Sequence, residues 1–124
     1  MTAVLGAALF MFAGVSSGQE GFPLDGTWRG SWGPADGQQA EVVIVMQWDG
    51  KNITGTINPG PDSIPFAMAA LNPADWTVHI EADPKAGGRV VIDGQLLDIG
   101  SYHRRIEGTW TQSGVRNPFK VARE

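Results

Sequence analysis

The chain has 124 residues, a net charge of −4 and no cysteine, and it is rich in glycine (17) and proline (8). That length holds one domain and a short extension, and the acidic balance excludes the basic footprint that nucleic-acid binders present. The missing cysteines exclude thiolate nucleophiles, disulfides, Cys-ligated zinc and a lipoprotein anchor together.

In chain order, Met1–Val15 is nearly all apolar and closes on Ser16-Ser17-Gly18. This reads as a secretory signal over residues 1–17, although the first basic residue is Arg29. The run is shorter than the ~20 residues of a membrane-spanning helix. Residues 18–23 form a linker and residues 24–124 the folded domain. The expected location is secreted or periplasmic, with no membrane attachment after cleavage.

From Gly26 the chain is punctuated every eight to twelve residues by Gly, Pro, Asn and Asp, the spacing of a meander. The predicted strands are Gly26–Trp32, Ala40–Trp48, Asn52–Asn58, Ser63–Leu71, Trp76–Glu81, Arg89–Leu97, Arg105–Thr111 and Pro118–Arg123. Short turns such as Asp49-Gly50 and Ser113-Gly114 join antiparallel neighbours, and no connection is long enough for a parallel crossover.

Read at period two, one phase of these strands is apolar. It gathers Trp28 and Trp32; Val42, Ile44, Met46 and Trp48; Ile53 and Ile57; and Ile64, Phe66 and Met68. It continues through Trp76, Val78 and Ile80; Val90, Ile92 and Leu96; Ile106 and Trp110; and Phe119 and Val121. The opposite phase carries Arg29, Glu41, Thr54, Thr77, His79, Glu81, Asp93 and Glu107. Eight such strands bury their apolar faces by closing into an antiparallel up-and-down β-barrel, a size that holds core side chains or one small ligand.

Arg123 alone breaks the apolar phase. Closure of the last strand on the first brings it to Trp28, where a guanidinium on an indole satisfies both groups. Trp28 and Trp110 sit in the repeated Gly-Thr-Trp strands and are expected to plug the closed end with Arg123. Trp32, Trp48 and Trp76, at strand ends, are expected with Phe66 and Met68 to line a ligand cavity. Gly30, Gly55, Gly94 and Gly108 share the inward phase and either leave space or mark strand bends.

Nothing in the sequence names a reaction. Asp98, Ser101 and His103 have the residue types of a triad, but no nucleophile-elbow pattern surrounds Ser101. His79 lies on the outward phase, so no metal, cofactor or catalytic residue is predicted. The expected partner is a small apolar or amphipathic ligand inside the barrel. An alternative is a filled barrel that docks a protein through Val43, Val45 and Val91 on the outward phase.

Gly26-Thr27-Trp28 on the first strand with Arg123 on the last resembles the calycin pattern of lipocalins, fatty-acid-binding proteins and avidins. Ile53-Thr54-Gly55-Thr56 and Trp76-Thr77-Val78 are most similar to the avidin branch. The polar residues with which avidins hold biotin have no counterparts on the apolar phase here. Asp25–Gly30, Ile106–Gln112 and Pro118–Arg123 also resemble a small exported bacterial module often found ahead of α/β-hydrolase or peptidase domains. That second resemblance implies an exported accessory or binding domain without catalysis of its own.

Overall fold

The computed structural model describes residues 22–124. The predicted signal over 1–17 and most of the 18–23 linker lie outside the described residues.

Eight strands follow in order: β1 (Gly26–Trp32), β2 (Ala40–Trp48), β3 (Ile53–Ile57) and β4 (Ile64–Asn72), then β5 (Thr77–Ala82), β6 (Val90–Leu97), β7 (Arg105–Gln112) and β8 (Val115–Arg123). Each pairs antiparallel with the next, and β8 returns to β1, so the sheet is a closed up-and-down barrel. Closure runs from Trp28 opposite Arg123 to Trp32 opposite Phe119. Beyond it the Glu124 amide donates to the Thr27 carbonyl at 2.8 Å. The thinnest seam is β3 against β4, which pair only through Thr56 opposite Pro65 and Ile57 opposite Ile64.

The turns explain the boundaries. Ser113 and Gly114 both take positive φ, 53° and 78°, as a two-residue hairpin whose twist matches its strands requires. Pairing therefore resumes at once, with Gln112 opposite Val115. That starts β8 three residues ahead of Pro118, where the sequence reading opened the strand. At Asp49-Gly50 the loop is longer, because the Asp49 carboxylate accepts the Lys51 and Asn52 amides at 2.9 and 2.7 Å. Those two amides hold its carboxyl below the usual carboxylate range.

The core is the expected apolar phase. Trp28, Val42, Ile44, Met46, Ile57, Val78, Ile80, Ile92, Leu96 and Ile106 are buried, and Leu24 joins them from ahead of β1. One stretch departs from strict alternation. In β4, Phe66 faces Ala82 but Met68 faces Glu81, so a bulge leaves an extra residue between them. The bulge shifts the phase by one. Ala69 and Leu71 then turn toward the core, while Met68, expected inside, is 42% exposed.

The strand glycines leave no space beside them. A Cβ on Gly30 would stand 1.9 Å from the Lys120 carbonyl oxygen, and one on Gly108 would stand 1.9 Å from that of Asp93. Both mark close approach of neighbouring backbones rather than room for a ligand.

Candidate functional site

The barrel has two rims: the first where β1 begins, the far one where β1 ends. At the first rim, two hairpins deliver aromatic side chains to one place. The β2–β3 loop carries Trp48 at its start and Ile53 at its end, and the β4–β5 turn carries Leu71 and Trp76. Together with Phe22, Lys51 and Asn52 they line an open cleft of about 500 Å³. The Phe22 ring stacks on Trp48, centroids 4.8 Å apart and planes 16° apart. Trp48 is 46% exposed despite its inward phase, because it stands beyond the rim where no strand covers it.

Trp76 is held in an unusual backbone state. Its φ is 59°, the left-handed region that costs a bulky non-glycine residue about 1–3 kcal/mol. The surrounding turn enforces it. The Trp76 amide donates to the Asn72 carbonyl at 2.7 Å, and its own carbonyl accepts the Leu96 amide at 2.9 Å. On either side, Asn72 Oδ1 accepts the Ala74 amide at 3.0 Å and Asp75 Oδ1 accepts the Thr77 hydroxyl at 2.8 Å. Gln95 Nε2 ties the Asp75 carbonyl to β6 at 2.6 Å. These bonds fix the backbone from which Trp76 lines the cleft.

The other expected ligand residues do not join this cleft. Trp32 lies at the far rim, stacked on Trp110 with centroids 4.5 Å apart and planes 1° apart, and Phe119 stands 6.2 Å from Trp110. The cause is topological: β1 and β7 both pair antiparallel with β8, so they run the same way and their C-terminal residues share one rim. Trp110 therefore closes the far end with Trp32 and not the first end with Trp28. Phe66 packs against Gly55, where an added Cβ would meet its ring at 2.8 Å. Met68 points outward beyond the bulge.

Trp28 and Arg123 do meet as partners across the closure, but the guanidinium does not lie on the indole. Trp28 is wholly buried, its Nε1–H donating to the Leu24 carbonyl at 2.9 Å. The aliphatic stem of Arg123 runs past Gly26, whose added Cβ would stand 3.1 Å from Arg123 Cδ. Its guanidinium sits 4.7 Å from the centre of the Tyr102 ring. Leu24 covers the indole first, so the cation stacks on the next exposed aromatic.

Asp98, Ser101 and His103 do not assemble into a relay. Asp98 Oδ2 accepts from Arg105 Nε at 2.7 Å, Ser101 Oγ accepts the His103 amide at 3.0 Å, and His103 Nδ1 faces the Arg123 carbonyl at 2.9 Å. His79 is on the outer face, as its phase implied, between two carboxylates: Asp93 at 2.5 Å and Glu81 at 2.7 Å. Those bonds raise its pKa above the ordinary value. Glu81 also accepts from Arg89, which holds Asp83 in turn. Both imidazole nitrogens are thus engaged, and among the described residues no group of three or more His, Asp or Glu is arranged to hold a metal ion.

Sequence reasoning missed Phe22, Lys51, Asn52 and Leu71 as cleft residues. Phe22 fell in the expected linker. Leu71 comes inward only through the bulge, which has no mark in the sequence. Compared with protein-family models, curated proteins and solved structures, the chain finds no match.

Proposed function

We propose that this domain is a non-catalytic binding module that takes a small apolar or amphipathic ligand at the first rim, between Trp48 and Trp76. The observation that carries the reading is Trp76, an aromatic fixed at a costly positive φ above an open cleft. Backbone strain of that kind persists where surrounding contacts over-determine it, and it concentrates at ligand sites. The barrel axis is an unfavourable place for the ligand, since Trp28, Ile44, Met46, Ile80 and Ile92 occupy it with 0–1% exposure. An exposed indole, Trp48, beside a half-buried one, Trp76, with a few polar neighbours fits the aromatic lining of a small-molecule site.

Two further parts of the proposal rest on sequence features. The Gly26-Thr27-Trp28 strand paired with Arg123 on the last supports a calycin-like barrel. The apolar run ahead of Ser16-Ser17-Gly18 supports export. The non-catalytic reading is supported by the polar groups that line the cleft, Lys51 and Asn52, which include no acid–base pair. A protein-docking role is less well supported. Val43 and Val45 lie on β2 and Val91 on β6, four strands away around an eight-stranded barrel, so they form no common patch.

Native mass spectrometry of the protein purified from its own source tests the reading. The expected result is a retained small molecule that is lost from Trp48→Ala and Trp76→Ala but kept by Trp32→Ala. A ligand retained equally by all three variants overturns the rim assignment. Turnover of ester, peptide or glycoside substrates by the purified domain overturns the non-catalytic reading.

A further inference from the structure

Apart from Arg116, exposed on β8, the arginines on this barrel fall into two kinds. Arg29, Arg89 and Arg105 are each paired with carboxylates: Glu124 at 2.5 Å, Glu81 and Asp83 at 2.6 and 2.7 Å, and Asp98 at 2.7 Å. Arg104 and Arg123 are held by backbone carbonyls instead. Arg104 donates from Nε to Ile99 at 2.8 Å and from Nη1 to Pro23 at 3.0 Å. Arg123 donates from Nε to Tyr102 at 2.9 Å and from Nη1 to Asp25 at 3.1 Å. Carbonyl oxygens orient a guanidinium without neutralising it.

These two cations line one pocket of about 390 Å³ together with Phe22, Asp25, Gly100, Ser101 and Tyr102. Among the described residues no carboxylate forms an ion pair with either arginine. The nearby Asp25 carboxylate is turned to Trp48, whose amide it accepts at 2.7 Å. Burial, and then the charge of Arg123, lower the pKa of Arg104, as expected for two neighbouring cations with no shared counter-charge.

We propose that this pocket is an oxyanion-binding site, taking a phosphate, a sulfate or a carboxylate group between Arg104 and Arg123. Each guanidinium carries five N–H bonds, and the carbonyls described use two on each. The remaining donors have the fork geometry that suits oxyanions. Ser101 adds a donor: its oxygen already accepts the His103 amide, which leaves its hydroxyl hydrogen available. The Arg123 guanidinium also lies over the Tyr102 ring, 4.7 Å from its centre. The site shares Phe22 with the Trp48–Trp76 cleft, but it stands whether or not that cleft binds a ligand.

The test is a nuclear magnetic resonance titration of the full chain with sodium phosphate, sodium sulfate, sodium acetate and sodium chloride at constant pH and ionic strength. The expected result is a saturable shift of the Arg104 and Arg123 Nε–H signals with at least one oxyanion. Chloride should leave them unmoved, and Arg29, Arg89 and Arg105 should stay still throughout. Phosphate and sulfate acting without acetate assign a tetrahedral group; acetate acting alone assigns a carboxylate. Arg104→Gln should weaken binding about tenfold, or ~1.4 kcal/mol, and Arg104→Lys, which keeps the charge but not the fork, should weaken it less. If Arg104→Gln does not fold, as judged by circular dichroism, the Lys variant and the wild-type titration decide. No saturable shift with any oxyanion, an equal response to chloride, or affinity unchanged in both variants overturns the proposal.

Discussion

Removal of the Trp28 side chain should nearly unfold this domain. The indole is 0% exposed and sits under Leu24, against the core of the first rim. Truncating a buried Trp to Ala costs about 3–5 kcal/mol through lost transfer energy and the cavity left behind. The Leu24 carbonyl, which accepts the indole N–H at 2.9 Å, then loses its partner, and a stranded buried acceptor costs about 1–3 kcal/mol. The expected total for Trp28→Ala is therefore about 5 kcal/mol, against a stability of ~5–15 kcal/mol for an ordinary domain. Trp28→Phe separates the two causes, since it keeps an aromatic ring and loses the hydrogen bond; about 1–3 kcal/mol is expected. Trp48→Ala, at a residue already 46% exposed, should cost about 1–2 kcal/mol. Urea denaturation followed by circular dichroism gives all three values, with Trp32→Ala as a far-rim comparison. If Trp48→Ala or Trp32→Ala costs more than Trp28→Ala, the burial argument for the first rim is wrong.

Gly108→Ala should destabilise by about 3 kcal/mol or more. Its new Cβ would meet backbone atoms, the Asp93 oxygen at 1.9 Å and Gly94 Cα at 2.5 Å, whereas Gly100→Ala meets nothing within 4 Å and should be near neutral by thermal unfolding. The His79 network should give a pH optimum of stability on the acid side of neutrality. His79 is raised above 6.5, so its contribution is complete below 6.5 and fades as pH rises through the raised value. Glu81 is lowered below 4.5, first by His79 and then by Arg89, so its contribution is complete above 4.5 and fades as pH falls through the lowered value. The melting temperature of the wild type relative to His79→Gln should therefore be most favourable between pH 4.5 and 6.5; a difference independent of pH refutes the linkage. Met68→Lys should change stability by less than about 0.5 kcal/mol, and Leu71→Lys should cost more than about 2 kcal/mol. The reverse ranking by urea denaturation would mean that β4 carries no bulge.

Much of the barrel is legible in the sequence because side-chain alternation is a local property of an extended chain. A residue's face follows from counting by two, so Val42, Ile44 and Met46, or Val78 and Ile80, are assigned to the core from their neighbours alone. Counting fails where one residue is inserted. The bulge in β4 shows only in its register against β5, and it moves Met68 out and Leu71 in. Rim identity is likewise non-local. Trp28 and Trp110 share the wording Gly-Thr-Trp, yet one is buried beneath Leu24 and the other is stacked on Trp32 at the opposite end. Their separation depends on strand direction and on how far along its strand each residue stands. Both candidate binding sites belong to this second class. Phe22, Trp48 and Trp76 converge from three separate segments, and Arg104 and Arg123 meet across the β7–β8 pairing, to which closure onto β1 adds Asp25. Periodicity reports which way a side chain faces; only the closed sheet decides which side chains become neighbours, because that depends on register and shear around all eight strands.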